Sequence, residues 1–307
     1  NRPTFLLLHG WPSSSYDWRH QIKSLSAAGY GVLVPDLLGY GDTDKQIDVY
    51  EYTFKKMVFH LVKMFENEGL TSVIGVGHDW YGTLPKPLHE KSLNQHRKGD
   101  LGSWGALPIT TQNTYSINEL TTQMYGYPTL GFWYFCNEDD VGKIADDHAD
   151  SLTALLYAED PDIVKTDLCP VGKMKEWITS DKLTPIANWL TEEEIKTHDA
   201  ILKAGGYNAP FKWLVVVKYR MNADDDAVIP FEQQVLSFPV MFIGGEKDYV
   251  THSETVLYSL EMGQKYGVLP NAEAKIISGS THWVPLDSPQ ELHDALVHMA
   301  KRVAKTA

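Results

Sequence analysis

Residues 75–82 read Gly-Val-Gly-His-Asp-Trp-Tyr-Gly, and they follow the apolar pair Val73-Ile74. A short apolar run of this kind is typical of a buried parallel strand, and the turn after it leads into a helix. Such a turn lifts its central side chain above the carboxyl edge of the sheet, and here that side chain is the carboxylate of Asp79. The stretch therefore predicts an α/β fold that carries an acid where a serine nucleophile is the usual occupant.

A carboxylate nucleophile needs no base to activate it, and its attack on an electrophilic carbon leaves an alkyl ester that water must hydrolyse. Two further residues suit that second step, because each comes just past an expected strand, where catalytic loops of parallel sheets collect. They are Asp248, within residues 244–250, and His282, within residues 280–283. We predict that Asp248 orients His282, whose other ring nitrogen draws a proton from water aimed at the ester on Asp79.

The motif His9-Gly10-Trp11-Pro12 follows the first expected strand. We predict that the backbone N–H groups of Trp11 and Trp80 form an oxyanion hole, because ester hydrolysis concentrates negative charge on a carboxyl oxygen. His9 is expected to be a structural hydrogen-bonding residue rather than a base. The peptide bond before Pro12 can be cis or trans, and the sequence does not show which isomer is present.

Length and composition limit the classes of protein that the chain can represent. With 307 residues, of which 43% are hydrophobic, it can bury one large core with an inserted layer. A formal net charge of -13 argues against nucleic acid or an anionic membrane as a partner. Two cysteines favour a reducing compartment, and without an apolar run long enough to span a bilayer we expect a cytoplasmic protein. We also expect a natural N-terminus longer than this one.

No Gly-rich phosphate loop, dinucleotide fingerprint or histidine ligand cluster stands out in the sequence, so we predict neither a cofactor nor a metal. Strand and helix patterns alternate in the first third and return after residue 232, whereas the stretch between is helical and aromatic. We therefore predict a core of residues 1–109 and 233–307 with a helical cap, or lid, of residues 110–232. Within the cap, Thr191 and Glu194 have capping-box spacing, which predicts a helix that ends near Gly205-Gly206.

Together with Asp36-Leu37-Leu38-Gly39-Tyr40-Gly41, these motifs resemble the soluble and fungal epoxide hydrolases of the α/β-hydrolase fold. The resemblance runs over nearly the whole chain. It implies a mostly parallel sheet flanked by helices, an inserted helical cap and hydrolysis of a small apolar epoxide to a vicinal diol. By the same resemblance Asp79, Asp248 and His282 take the catalytic roles, and Tyr134 matches the first of two lid tyrosines. A phenol suits that role because its O–H polarises the ring oxygen and protonates the alkoxide.

Three features depart from the family pattern. One is the pair Pro85 and Pro87, which interrupts the helix after the elbow and predicts a kinked or delayed start. Trp213-Leu214 stands where the family has Trp-Tyr, and Tyr219, five residues further on, lies about 140° around a helix and cannot simply replace the missing phenol. Tyr81 stands two places after the nucleophile, where the elbow favours a small residue, so it turns into the pocket or distorts the elbow. The residues that we expect to line the substrate pocket are Pro12, Tyr81, Leu214, Tyr219 and Trp283.

Two other functions remain open at this point, and a third is disfavoured. A haloalkane-type dehalogenase uses the same aspartate, with Trp80 cradling the halide, although Tyr134 favours an epoxide. A divergent pathway enzyme or ligand-binding protein on this fold fits the departures. An esterase would need a serine elbow, and Ser103 is a poor candidate because Leu101 occupies a glycine position of that motif. The sequence leaves monomer and homodimer equally possible.

Overall fold

The computed structural model describes residues 2–79, 111–218, 221–222 and 235–306. Its first sheet is parallel and has the strand order β2-β1-β3. Strand β1 is Thr4–Leu8, β2 is Gly31–Leu33 and β3 is Ile74–Gly77. Leu8 pairs with Gly77, so the end of β1 lies beside the end of β3. This pairing brings the motif that starts at His9 next to the turn that holds Asp79.

The side chains of β1 alternate between two faces, as the period of two in a strand requires. Phe5 and Leu7 belong to one buried cluster, which includes Leu25 of helix α1 (Arg19–Ala27). Leu6 and Leu8 belong to another, which includes residues of helix α2 (Phe54–Glu68). Because helices cover both faces, the strand is apolar and buried from Phe5 to Leu8 and reads as a continuous hydrophobic run.

A second parallel pair joins β4 (Val240–Gly245) to β5 (Ala272–Ile277). Asp248 and His282 follow these two strands at the same edge, as the sequence predicts. Helix Ser253–Lys265 follows the Asp248 loop, and the short helix Val284–Asp287 follows the His282 loop. The last helix is Pro289–Thr306, whose Leu292 and Leu296 pack in the cluster that contains Phe5.

The regular secondary structure of the described residues between the two strand groups is mainly helical, with one isolated β-bridge between Ala158 and Ile186. Thr191 caps the helix Glu192–Gly205 with a capping box that includes Glu194, and the helix ends at Gly206, whose φ is 71°, so the expected start and end are confirmed. Among the described residues, no helix has both the length and the hydrophobicity needed to cross a bilayer. The other helical segments of this stretch are Thr111–Tyr125, Trp133–Cys136, Val141–Asp147, Ala149–Leu156, the π-helical turn Val164–Leu168, Lys173–Thr179 and Asn208–Lys218.

Candidate active site

The backbone at Asp79 is strained, with a φ of 59° in the left-handed region. That conformation is uncommon for a residue with a Cβ, and it is typical of a nucleophile raised on a sharp turn. Gly10 is necessary beside it, because a Cβ on Gly10 would lie 2.3 Å from the Cβ of Asp79. With this close approach, the backbone N–H of Trp11 donates a hydrogen bond to Asp79 Oδ1 at 3.0 Å. One of the two expected oxyanion-hole donors is therefore in contact with the nucleophile.

His282 lies between the two acids. Its Nε2 is 3.6 Å from Asp79 Oδ2, and its Nδ1 is 2.9 Å from Asp248 Oδ2. The second oxygen of Asp248, Oδ1, accepts hydrogen bonds from the backbone N–H groups of Val250 and Thr251 at 3.0 and 2.8 Å. The sequence-predicted acid, histidine and acid thus form one continuous chain of contacts, which we call the triad.

Backbone contacts hold the loop of Asp248 against the loop of His282. The N–H of Glu246 donates to the carbonyl of Ile277 at 3.0 Å, and that of Lys247 donates to the carbonyl of Ser280 at 2.7 Å. Gly245 permits this approach, because a Cβ there would lie 2.1 Å from the carbonyl oxygen of Thr281. The two loops therefore act as one unit that fixes the acid relative to the imidazole.

The charges of the triad shift the pKa values of its members. Burial alone would lower the pKa of His282, but the negative charge and hydrogen bond of Asp248, with the charge of Asp79, raise it to about 9. For Asp248, burial would raise the pKa of the carboxyl group, yet the charge of His282 and three hydrogen bonds hold it below its usual range. His282 is accordingly an imidazolium at neutral pH, and its positive charge lies between the two acids.

This raised pKa predicts a pH-dependent contribution of His282 to stability. The contribution is present in full below the unfolded-state pKa of about 6.5, and it is lost as the pH rises through about 9. We expect the free energy of unfolding of the parent, relative to His282→Gln, to fall by about 3 kcal/mol over that window. Urea unfolding of both proteins at pH 6.5 and 9 measures this difference. Equal changes in the two proteins would contradict the shift.

Two other histidines next to the triad are structural. His9 is fully buried and accepts the backbone N–H of Leu37 at Nε2 at 3.0 Å, so its proton is on Nδ1, 3.0 Å from the carbonyl oxygen of Gly10. His78, which sequence reasoning missed, donates from Nε2 to the backbone carbonyl of His282 at 2.8 Å. Burial and the neighbouring charge of His282 lower the pKa of His78 to about 4, so it remains neutral. No local pattern in the sequence predicts this contact.

Three of the residues expected to line the pocket are buried in packing. Pro12 follows a cis peptide bond and is buried, and Leu214 is fully buried in the main hydrophobic cluster. Trp283 is 6% exposed, and its indole N–H donates to the carbonyl of Leu156 at 2.8 Å. It therefore ties the His282 loop to the inserted helices. Trp80, Tyr81 and Tyr219 lie outside the described residues, as do Pro85, Pro87 and Ser103.

Tyr134 has a different setting from the one that the resemblance implies. Its neighbours Trp133 and Phe135 are buried, whereas its own side chain is 40% exposed. It lines an open groove of about 570 Å³, and the described residues of this groove do not include any member of the triad. Within the residues that the structure describes, the phenol of Tyr134 is therefore not seen in contact with Asp79. The groove residues are Tyr115, Asn118, Glu119, Thr122, Gln123, Pro128, Tyr134 and Val171.

Comparisons with known proteins agree with this fold. A family model for the α/β-hydrolase fold matches residues 3–84. An epoxide hydrolase of an endophytic Streptomyces has a TM-score of 0.75 at 22% identity, covering 98% of this chain and 89% of that structure. An epoxide hydrolase from Vigna radiata has a TM-score of 0.70 at 21% identity, covering 98% of this chain and 92% of that structure. The chain therefore has the α/β-hydrolase fold.

The relatives found by sequence comparison are also named as epoxide hydrolases. Epoxide hydrolase 3 of Siraitia grosvenorii is 29% identical over 95% of this chain and 89% of its own length. Epoxide hydrolase B of Mycobacterium tuberculosis is 24% identical over 96% of this chain and 90% of its own length. These matches confirm the predicted resemblance to epoxide hydrolases of this fold over nearly the whole chain.

Proposed function

We propose that this protein is a hydrolase that converts an epoxide to a vicinal diol through an ester on Asp79. The observation that carries the proposal is the position of the Asp79 carboxylate. Its Oδ1 accepts the N–H of Trp11 at 3.0 Å, and its Oδ2 lies 3.6 Å from His282 Nε2. A carboxylate held at both oxygens on a strained turn is ready to attack carbon, and similarity to epoxide hydrolases identifies the strained three-membered ring as its target.

In the first step, a carboxylate oxygen of Asp79 forms a bond to a ring carbon as the carbon–oxygen bond of the epoxide breaks. The ring oxygen becomes an alkoxide and takes a proton, for which the proposed donor is the phenol of Tyr134. This role requires the hydroxyl of Tyr134 to reach the ring oxygen from the lid side. Leu214 cannot supply a second donor, because its side chain has no polar atom.

In the second step, His282 removes a proton from water while the oxygen of that water bonds to the ester carbonyl carbon of Asp79. The negative charge of Asp79 is one cause of the raised pKa of His282, and esterification removes that charge. The pKa of His282 therefore falls when the ester forms, and the released proton restores the phenol. A neutral imidazole is then present when a base is required. Collapse of the tetrahedral intermediate releases the diol and regenerates the Asp79 carboxylate.

The N–H of Trp11 has a role in both steps. It points at the oxygen of Asp79 that carries negative charge in the tetrahedral intermediate, and removal of one such donor typically raises a barrier by about 2.7 to 4 kcal/mol. The proposed second donor is the N–H of Trp80. The close contact between Gly10 and Asp79 supports this arrangement, because any larger side chain at Gly10 would push the carboxylate away from Trp11.

The proposal also covers the domain bounds, the substrate class, the compartment and the oligomeric state of the protein. Residues 110–232 form the cap, and residues 1–109 and 233–307 form the core. The contact of Trp283 with Leu156 supports a cap that closes over the His282 loop. The substrate is a small apolar epoxide, the protein is cytoplasmic and of the soluble or fungal type, and it acts as a monomer or homodimer.

Isotope labelling tests the proposed ester. Hydrolysis of the ester transfers an oxygen from water to the carboxylate of Asp79, and the next attack passes that oxygen to the product. After many turnovers of an epoxide in water enriched in oxygen-18, we expect the label in the peptide that contains Asp79. A haloalkane panel in parallel reports halide release, which distinguishes a dehalogenase. Epoxide turnover that never labels this peptide would refute the covalent mechanism.

A further inference from the structure

The loop that follows Asp248 sets the position of its carboxylate. One oxygen faces Nδ1 of His282 at 2.9 Å, and the other accepts backbone N–H groups of the same loop, from Val250 and Thr251. The loop then reaches His252, which precedes the helix Ser253–Lys265. Because the carboxylate is bonded to its own loop, a shift of that loop would move Asp248 relative to His282.

Tyr127, which follows a helix of the proposed cap, contacts this loop at two points. It lies two residues after the helix Thr111–Tyr125 and is 8% exposed. Its hydroxyl is 2.8 Å from the carbonyl oxygen of Tyr249 and 2.7 Å from Nε2 of His252. One phenol therefore bridges the first residue after Asp248 and the last residue of the loop.

The direction of both hydrogen bonds follows from the number of protons available. The hydroxyl of Tyr127 has one proton, and the carbonyl oxygen of Tyr249 can only accept, so that proton goes to Tyr249. The second contact must then run in the other sense, with Nε2–H of His252 donating to the hydroxyl oxygen of Tyr127. This assignment puts the proton of neutral His252 on Nε2. Its Nδ1 faces Glu254 at 3.9 Å.

Further contacts from the inserted helices reinforce this bridge. The ring of Tyr125 stacks on the ring of His252, with centroids 3.6 Å apart and an interplanar angle of 8°. Its hydroxyl lies 3.1 Å from Oγ1 of Thr255, in the first turn of the following helix. The ammonium group of Lys165 lies 4.3 Å from the ring centroid of Tyr249. These contacts join the proposed cap to the loop that carries the triad acid and to the first turn of the helix that follows it.

We propose that Tyr127 is a positioning residue for the Asp248–His282 pair, which it holds in register by bridging Tyr249 and His252. The expected effect of Tyr127 on turnover rests on the proposed function, whereas its expected effect on the Asp248–His282 pair does not. Tyr127 does not contact the reacting atoms and acts through Asp248. In this role the cap does more than cover the pocket, because the strength of the base depends on a hydrogen bond that the cap supplies.

Proton NMR of the free enzyme tests the proposal without substrate. The proton shared by Nδ1 of His282 and Asp248 gives a downfield resonance, which His282→Gln assigns by its loss. In Tyr127→Phe we expect the pKa of His282 to fall by about half a unit, which is about a threefold loss of proton affinity. Asp79, His78 and Asp287 also face His282, and they are unchanged in this variant. Tyr258→Phe, at a tyrosine 63% exposed on the following helix, is the matched control.

Two variants of His252 separate the hydrogen bond from simple packing. His252→Ala removes the donor to Tyr127 and is expected to lower the pKa of His282 as Tyr127→Phe does. His252→Gln keeps an N–H donor and is expected to retain most of the parent value. An unchanged pKa in Tyr127→Phe, or equal losses in the two His252 variants, would overturn the proposal. Because the titration needs no epoxide, this outcome is decided independently of the catalysed reaction.

Where epoxide turnover is established, kinetics give a second measure. Tyr127→Phe should slow hydrolysis of the Asp79 ester by about threefold to tenfold, since a weaker base draws the proton from water less well. Ester formation should keep the parent rate, because Tyr127 is not expected to contact the epoxide. Slowing of ester formation alone would contradict a role that acts through Asp248.

Discussion

Asp79→Ala is expected to lower kcat/KM for epoxide hydrolysis by on the order of 10⁴-fold or more, as removal of a nucleophile that acts within a triad typically does. The reason is that no other carboxylate in the site has the geometry of Asp79. Asp248 is bonded through one oxygen to His282 and through the other to its own loop. It is therefore not free to attack carbon in place of Asp79.

The measurement is diol release from a panel of epoxides, with Asp139→Ala as a control at an exposed carboxylate. Thermal unfolding of both variants verifies that the loss is chemical and does not come from loss of the folded structure. Parent-like turnover by Asp79→Ala would exclude the covalent mechanism. Parent-like turnover by Asp139→Ala is expected, since that side chain is exposed and has no role in the proposed mechanism.

The three members of the triad were predictable because each depends on a local pattern. Asp79 follows a short strand at a turn, and Asp248 and His282 each follow a strand of the second sheet. Parallel strands bring their carboxyl ends to one edge, so residues far apart in sequence meet without any specific prediction of contact. The capping box at Thr191 was predictable for the same reason, since its hydrogen bonds lie within four consecutive residues.

The features that sequence reasoning did not supply depend on contacts between distant segments. Tyr127 and His252 are separated by 125 positions, and His78 and the carbonyl of His282 by 204. Trp283 was expected to line the pocket, yet its indole N–H donates a hydrogen bond to the carbonyl oxygen of Leu156, which lies in the helix Ala149–Leu156. The exposure of Tyr134 has the same origin, because it depends on how the helices between the two strand groups pack rather than on the motif around it.

The end of strand β2 was also predicted inexactly from the sequence. The apolar run at residues 31–35 predicts a strand of that length, but β2 ends at Leu33. Leu33 pairs with Leu6 as the last residue in the register between β1 and β2, although β1 continues to Leu8. Pro35 has no backbone N–H to donate to a sheet, so an apolar pattern that includes it overestimates the length of the strand.

His282→Gln is expected to accumulate the Asp79 ester, because it removes the base for the second step and leaves the nucleophile in place. The N–H of Trp11 still holds Asp79 Oδ1 at 3.0 Å, and a single ring opening can use the proton of a phenol. Loss of a general base typically slows the dependent step by about 10² to 10⁴-fold. The variant should therefore complete one ester formation per protein molecule and then stall.

Intact-protein mass spectrometry after addition of an epoxide measures this directly. The adduct should equal the full mass of the substrate, because opening of the ring expels no leaving group, whereas a dehalogenation adduct lacks the halide. Peptide mapping should locate it at Asp79. His298→Gln, at a histidine whose side chain is 56% exposed, is the matched control and should turn over without an adduct. Sustained turnover by His282→Gln with no adduct would mean that another group activates water, and the role derived from the 3.6 Å contact with Asp79 would be wrong.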